Sequence, residues 1–254
     1  MSSLFARELR TTQGVQARHR GNYGQVVSTG AIVTLQAPLT AAGGHVYCTE
    51  SFQMKLNHRL VGVLKTANSG TSYTNYTVEA TDGSDSTTVV LNSLPPTTSG
   101  GYWYVGFPKE AASIASGIYV RVLQSNDSYA ALSAARYSNG AWSTVTITDG
   151  TKAGMKTLVN SGTITWTALT AGWTPLQIEG ITACWMRFGA DGLLGSNVGL
   201  STVCLLSSDT GGYFQADTAY EFALYPGIGT IEATAVSTAG SLYAAWIDAD
   251  RGPA

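Results

Sequence analysis

The segment Arg136-Tyr137-Ser138-Asn139-Gly140-Ala141-Trp142 is the strongest local indication of the fold. An Asn-Gly pair between two alternating segments favours a tight two-residue hairpin, because both central residues of that turn need a positive φ. In the second strand of the hairpin, Trp142 and Thr144 are predicted to face one way and Val145 the other, with the strand continuing to Thr148. The segment therefore predicts a pair of antiparallel strands with one buried face.

The same period of two extends over most of the chain. Short apolar or alternating runs recur at residues 60–64, 73–80, 87–91, 102–107 and 201–206. Segments rich in glycine, proline, serine and threonine separate them, and turns come about every 8–12 residues, which is typical of a sandwich or barrel. We expect an all-β protein built as an antiparallel, jelly-roll-like β-sandwich, in one sandwich or in two β lobes.

The pattern divides the chain into four predicted segments. Residues 1–24 are an extended basic N-terminal arm, residues 25–101 a first β lobe and residues 102–210 a β-sandwich module. Residues 211–254 are C-terminal strands that complete the fold or pair with a neighbour's sheet edge. The sequence Thr-Asp-Gly occurs at residues 81–83 and again at 148–150, which indicates either two tandem lobes or a chance similarity of turn residues.

Composition and charge exclude several classes of protein. Hydrophobic residues make up 44% of the 254 residues and charged residues 12%, with a formal net charge of −2. Such a chain can build a core, which excludes intrinsic disorder, and it lacks the basic balance of a nucleic-acid binder. No apolar stretch reaches the ~18 residues of a membrane span. The N-terminus has no apolar signal-peptide region, so we expect a protein that is made in a cytoplasm and not secreted.

The first twenty residues differ in charge from the rest of the chain. They contain four arginines and a single acid, Glu8. The segment is either a solvated tail or an arm that becomes ordered against an acidic neighbour, where guanidinium groups supply forked hydrogen bonds. The candidate partner-binding residues are these four arginines: Arg7, Arg10, Arg18 and Arg20.

No catalytic or metal-binding pattern stands out in the sequence. The chain has three histidines, His19, His45 and His58, but no nucleophile motif such as Gly-x-Ser-x-Gly that a histidine could activate as a general base. Residues 82–85 resemble a fragment of a calcium loop, but they lack its further carboxylates and are better explained as turn residues. We therefore expect a protein that is not an enzyme and that holds no cofactor and no metal.

Cysteine usage and glycosylation patterns add little chemistry. Cys48, Cys184 and Cys204 are odd in number and widely spaced, which fits buried free thiols better than disulfides or a zinc site. Residues 126–128, Asn-Asp-Ser, match the glycosylation acceptor pattern, but the pattern has no meaning without secretion.

Five tryptophans have two possible roles. They could form a sugar-stacking platform, or they could fill the space between two sheets, where each buries a large apolar area. The core role is favoured because they lie within or beside apolar strands. The five are Trp103, Trp142, Trp166, Trp173 and Trp185.

About 100 residues, from 104 to 208, carry an ordered series of short motifs. The series is Tyr104-Val-Gly-Phe107, Gly117-Ile-Tyr-Val-Arg121, Tyr137-Ser-Asn-Gly-Ala-Trp142, Thr148-Asp-Gly-Thr151, Gly162-Thr-Ile-Thr-Trp166, the turn at Trp173, and Gly180-Ile-Thr-Ala-Cys-Trp-Met-Arg-Phe188. The stretch resembles a β-sandwich module of structural proteins in tailed-bacteriophage virions. That family usually has an aromatic residue where Cys184 stands, a departure that concerns packing only.

The resemblance implies a structural role in a virion. Such modules occur in head decoration (cement) proteins and in tail, collar and baseplate parts, and their pattern carries no catalytic residues. The basic arm favours the head, because it can lie across the seams between major capsid subunits. We expect a capsid decoration protein whose partners are the major capsid protein and copies of itself in a homo-oligomer. The alternative is a tail, collar or head-fibre component that adheres to a host glycan through exposed aromatic residues.

Overall fold

The computed structural model describes residues 19–27, 33–36, 41–82, 85–208, 212–223, 228–236 and 238–248. The strands up to residue 107 are β1 (His19–Val27), β2 (Val33–Gln36), β3 (Ala41–Cys48), β4 (Phe52–His58), β5 (Gly62–Thr66), β6 (Thr74–Asn75), β7 (Val89–Val90) and β8 (Tyr102–Phe107). A short helix, α1 (Thr77–Thr81), follows β6, and 3₁₀ turns occupy Thr97–Ser99 and Lys109–Ala111.

The second half of the described chain continues in strands. They are β9 (Ala115–Gln124), β10 (Leu132–Ser138), β11 (Ala141–Val145), β12 (Thr148–Asp149), β13 (Gly162–Thr165), β14 (Leu176–Ile178), β15 (Ile181–Ala190), β16 (Gly199–Ser207), β17 (Gly212–Phe214), β18 (Thr218–Ala223), β19 (Ile228–Ala235) and β20 (Gly240–Asp248). The described strand registers are all antiparallel. The expected all-β fold of packed antiparallel sheets is confirmed.

The hairpin predicted at residues 136–142 is present. Asn139 and Gly140 have φ values of 50° and 84°, and Ser138 pairs with Ala141 across the turn between β10 and β11. The predicted extension of the second strand to Thr148 is wrong. Strand β11 ends at Val145, and Thr148 instead pairs with Thr165 in the opposite sheet. Val145 at the end of β11 lies in the core and Ile147 after it packs against the core, so this connection stays in contact with the core as it crosses between the sheets.

The chain forms two compact units. The first comprises residues 1–56 and 210–254, to the extent that they are described, and the second comprises residues 57–209. This division corrects the predicted boundary between residues 101 and 102. Residues 57–101 do not form a lobe with the preceding strands, because β5 pairs with β8 and β7 pairs with β16.

The first unit has the strand order of a jelly roll. One of its sheets has the order β1-β20-β3-β18, and the other has the order β17-β4-β19-β2. Counted along this unit alone, strands one, eight, three and six form the first sheet and strands five, four, seven and two form the second. This is the two-sheet, eight-stranded arrangement found in viral capsid proteins and lectins. Both sheets contribute buried apolar side chains, among them Val46, Leu242, Phe52 and Ile231.

The second unit is inserted into the first between neighbouring strands. Strand β4 leads into residues 57–209, and β17 pairs with β4 when the chain returns, with Phe214 opposite Phe52. A connection whose two ends lie side by side accepts a folded insertion easily. The residues predicted as C-terminal strands complete this unit, since β18 and β20 both pair with β3.

The second unit is a sandwich of two antiparallel sheets. Its seven-stranded sheet has the order β11-β10-β15-β8-β5-β6, with β14 paired to β15, and its five-stranded sheet has the order β12-β13-β9-β16-β7. One continuous core includes Trp103, Phe188, Ile118 and Leu205, drawn from both sheets. The core fixes the direction of every second side chain, so the alternate residues of the seven-stranded sheet point outward.

Residues 73–80 depart from their predicted strand. Only Thr74–Asn75 are extended, and α1 follows, with Ala80 and Thr81 buried. The Thr-Asp-Gly echo is therefore a chance similarity, because Thr81 ends a helix whereas Thr148 begins a strand.

Candidate binding surfaces

The predicted arginine site lies largely outside the described residues. Arg7, Arg10 and Arg18 fall before the first described position. Arg20 lies in β1, where its backbone is opposite Trp246 of β20. Residues 19–24, predicted as part of the extended arm, belong to this strand, since eight residues of β1 pair with β20. Partner binding by the four arginines stays a prediction.

The tryptophans divide between core and surface. Trp103, Trp166 and Trp185 are buried, as the core interpretation predicts. Trp142 and Trp173 are only partly buried. Trp173 packs against the core through an edge contact with Phe107, whereas Trp142 stands on the outer face of the seven-stranded sheet.

That outer face carries a cluster of aromatic side chains around one cation, which we call the arginine face. It consists of Tyr73, Tyr102, Tyr104, Trp142 and Arg187. The guanidinium carbon of Arg187 lies 4.4 Å from the centroid of the Tyr102 ring and 4.5 Å from that of the Trp142 ring. A guanidinium attracts the negative faces of aromatic rings, so two rings clamp this one in a fixed position.

Strand alternation brings this cluster together. Arg187 of β15 is paired with Tyr104 of β8, and its neighbours Met186 and Phe188 point into the core. In β8, Trp103 points inward while Tyr102 and Tyr104 point outward. Trp142 reaches the cluster from the hairpin strand β11, and its ring meets the Tyr104 ring edge-on at 5.6 Å.

A buried tryptophan supports the cluster from the side. Trp185 is fully buried beside Tyr104, and its indole Nε1 donates a hydrogen bond of 2.8 Å to the carbonyl of Leu176. A Cβ atom at Gly106 would lie 2.7 Å from Cζ3 of Trp185, so the indole occupies the space that a side chain on β8 would fill. Burial raises the pKa of the Tyr104 phenol, an effect larger than the opposing effect of Arg187. Tyr104 therefore stays neutral.

A second exposed feature lies on three loops of the same unit, and we call it the apolar tip. Tyr129, Met155 and Leu193 are 72%, 77% and 55% exposed. The amide nitrogen of Ala130 donates to the carbonyl of Met155 at 3.2 Å, and Lys156 Nζ lies 5.2 Å from the Tyr129 ring centroid. Large exposed apolar side chains that adjoin one another are typical of interaction sites.

Asn126 holds the three loops of the apolar tip in place. It is 2% exposed, and its Nδ2 donates to the carbonyls of Ser128 and Thr157 at 2.9 and 3.0 Å. Its Oδ1 accepts a hydrogen bond of 2.9 Å from the amide of Gly195. A side chain so enclosed cannot carry a glycan, so the acceptor pattern at residues 126–128 has a structural role.

The other sequence candidates for chemistry have structural surroundings. All three cysteines are free and buried, as predicted, and burial raises the pKa of the Cys48 and Cys184 thiols, which lowers their reactivity. Asp82 accepts a hydrogen bond from Thr87, and Asp85 forms an ion pair with Arg121. Among the described residues, no group of three or more His, Cys, Asp or Glu side chains is arranged to hold a metal ion.

Within the same residues, no helix has the length and apolar character to cross a membrane. The chain matches no known family model, and comparisons with curated proteins and with solved structures give no match either. The fold and surfaces define a class: an all-β protein in which a jelly roll carries an inserted β-sandwich with an arginine face and an apolar tip.

Proposed function

We propose that this protein is a structural component of a tailed-bacteriophage virion that decorates and stabilises the capsid shell. The jelly-roll strand order of the first unit carries the proposal, because this topology is a recurrent building unit of viral shells. The motif series at residues 104–208, which resembles virion sandwich modules, supports the same assignment. A shared fold does not fix a shared function, so the decisive test is direct binding to phage heads.

The apolar tip is the described surface best suited to a protein partner. Tyrosine and methionine are enriched at protein interfaces, and here both stand on loops joined by buried hydrogen bonds. Loops fixed in this way lose little conformational entropy on binding. In the proposal, the tip contacts the major capsid protein, and the basic residues before β1 add contacts at subunit seams.

Reconstitution on phage heads tests this function. Purified protein is added to heads that lack it, and head-bound protein is measured by sedimentation together with the temperature at which the heads release DNA. We expect saturable binding and a raised release temperature. The triple variant Tyr129→Ser, Met155→Ser, Leu193→Ser should lose binding. Val78→Ser is its control, because Val78 is also exposed but lies on α1 and not on the three loops of the tip.

The arm is tested by deleting residues 1–18, which leaves β1 intact. We expect weaker binding from this deletion and from the combined substitution of Arg7, Arg10 and Arg18 by Gln. Arg121→Gln serves as the charge control, since Arg121 is an exposed arginine paired with Asp85. Failure of the wild-type protein to bind heads would refute the decoration role.

A second candidate function is adhesion to a host glycan by a tail, collar or head-fibre component. The arginine face favours it, because Trp142, Tyr102 and Tyr73 remain partly exposed around a fixed cation. Sites for small ligands combine aromatic walls with a few fixed polar groups in this way. Binding of wild-type protein to tails instead of heads would select this function.

A further inference from the structure

We propose that the arginine face binds an acidic saccharide and that Arg187 receives its carboxylate. The inference rests on the second candidate function and names the ligand class of that site. It depends on how Arg187 differs from Arg121 and Arg136 of the same unit.

Two arginines of the second unit have their N–H groups engaged within the protein. Arg121 forms an ion pair of 2.7 Å with Asp85. Arg136 stacks on Trp173 with its guanidinium carbon 5.5 Å from the ring centroid, and its Nη1 donates a hydrogen bond of 2.6 Å to the carbonyl of Ala171. Each of these guanidinium groups therefore has a protein acceptor that explains its position.

Arg187 lies against two aromatic rings and forms a hydrogen bond with the neutral phenol of Tyr104, where Arg121 has a carboxylate and Arg136 a backbone carbonyl. Among the described residues, no carboxylate lies within ion-pair distance of it, and no backbone carbonyl accepts a hydrogen bond from it. None of its nitrogens is both buried and without a partner. The N–H groups that the protein leaves unpaired therefore face solvent.

This arrangement is prepared for a planar anion. The centroids of the Tyr102 and Trp142 rings lie 4.4 and 4.5 Å from the guanidinium carbon, and the N–H groups along the guanidinium edge are the donors that a ligand can reach. A carboxylate matches that edge with two parallel hydrogen bonds. Holding the guanidinium in advance removes the entropic cost of ordering a long side chain during binding.

The surrounding side chains favour a saccharide over an acidic peptide. Tyr73, Tyr102 and Trp142 are partly exposed around the buried Tyr104 and form a rim that is both apolar and able to hydrogen-bond. A sugar ring presents C–H faces and hydroxyl groups together, which this rim can contact with ring edges and phenol groups. Among the described residues, Arg187 is the one cation stacked on the rings of this face, so the face offers a single site for a carboxylate.

The test compares two ligands that differ only at one carbon: methyl β-glucuronoside, which has a carboxylate, and methyl β-glucoside, which has a hydroxymethyl group. Binding to the full chain is followed by tryptophan fluorescence and by nuclear magnetic resonance. We expect saturable binding of the glucuronoside with a Kd of about 1 mM, and at least tenfold weaker binding of the glucoside.

Substitutions then assign the carboxylate to its partner. Arg187→Met should weaken glucuronoside binding about tenfold or more, and Arg187→Lys should also weaken it, because a lysine keeps the charge but not the fork. Arg136→Met is the matched control, since it removes another arginine stacked on a tryptophan, and it should leave the affinity unchanged. Thermal unfolding of each variant shows whether the fold is retained. If Arg187→Met unfolds, the affinity of Arg187→Lys for the glucuronoside tests the role of Arg187.

The outcomes distinguish the assignment of an acidic saccharide from the glycan-adhesion function on which it rests. Equal binding of both ligands, unaffected by Arg187→Lys, would overturn the acidic-saccharide assignment and leave glycan adhesion standing. Binding of neither ligand would overturn both for this face. A peptide of sequence acetyl-Ala-Glu-Ala-amide that binds as tightly as the glucuronoside would reassign the face to a protein carboxylate.

Discussion

The two faces of the seven-stranded sheet use the same residue types for opposite purposes. On the inner face, Trp103 stacks on Phe188 with ring centroids 4.7 Å apart, and both side chains are fully buried. On the outer face, Trp142 stacks on the guanidinium of Arg187 and stays partly exposed. An aromatic residue in an apolar strand therefore has no fixed role, and the layer that covers its face decides between core and surface.

The inner face should respond most strongly to truncation. Trp103→Ala removes a side chain with 0% exposure from the centre of the core, and we expect a loss of about 3–5 kcal/mol in the free energy of unfolding. Urea denaturation followed by circular dichroism measures the loss. A loss below about 1 kcal/mol would mean that the two faces do not differ in the way described.

The covered part of the outer face, where Trp185 packs on β8, should show the second-largest loss in the free energy of unfolding when it is substituted. Gly106→Ala places a methyl group where the Trp185 indole lies, and overpacking of this kind costs about 1–3 kcal/mol. Gly140→Asn is a suitable control because a Cβ atom there meets nothing within 4 Å and Asn tolerates a positive φ. Equal stability of Gly106→Ala and the wild type would show that the Trp185 indole is not packed tightly against β8 at Gly106.

The stability at alkaline pH should depend on the ionisation of the Tyr104 phenol. Its pKa is raised in the folded protein, chiefly by burial, whereas in the unfolded chain it ionises near pH 10. The stabilisation is therefore complete below about pH 10 and is lost as the pH rises further, at about 1.4 kcal/mol per pH unit for this group. Tyr104→Phe should lose less stability than the wild type between about pH 9 and pH 11. Parallel curves for the two proteins would contradict the raised pKa.

The open part of the outer face should matter least for stability. Trp142→Ser removes a partly exposed ring from β11, and we expect a loss of about 1 kcal/mol or less. The same change should abolish the fluorescence response to methyl β-glucuronoside if the arginine face is the site. Large destabilisation with unchanged ligand binding would reverse the roles assigned to the two faces.

Local sequence signals predicted the parts of the fold that depend on near neighbours. The hairpin at Asn139 and Gly140 follows from turn chemistry, and the opposite directions of Trp142 and Val145 follow from the period of two, although the sequence favoured the core for Trp142. The insertion of residues 57–209 could not be predicted in this way. It depends on the pairing of β4 with β17, which joins residues far apart in sequence and leaves no local pattern.

The candidate surfaces were only partly visible in the sequence. A signal for the arginine face was present, because Arg187 stands between Met186 and Phe188 in an otherwise apolar strand. Its aromatic neighbours come from other strands, however, and only the register of β8 and β15 brings Tyr104 opposite Arg187. The apolar tip gave no signal, since Tyr129, Met155 and Leu193 are scattered over three loops that Asn126 joins only in the folded protein.

The central claim, a place on the phage particle, is tested most directly by immunogold labelling. Antibodies raised against the recombinant protein are applied to intact particles from the source culture, and gold is located by electron microscopy. For a decoration protein we expect gold spread evenly over the heads. Gold confined to tails would contradict the decoration role in favour of adhesion. Particles without any label, in a culture where the protein is present in the cells, would contradict the virion assignment itself.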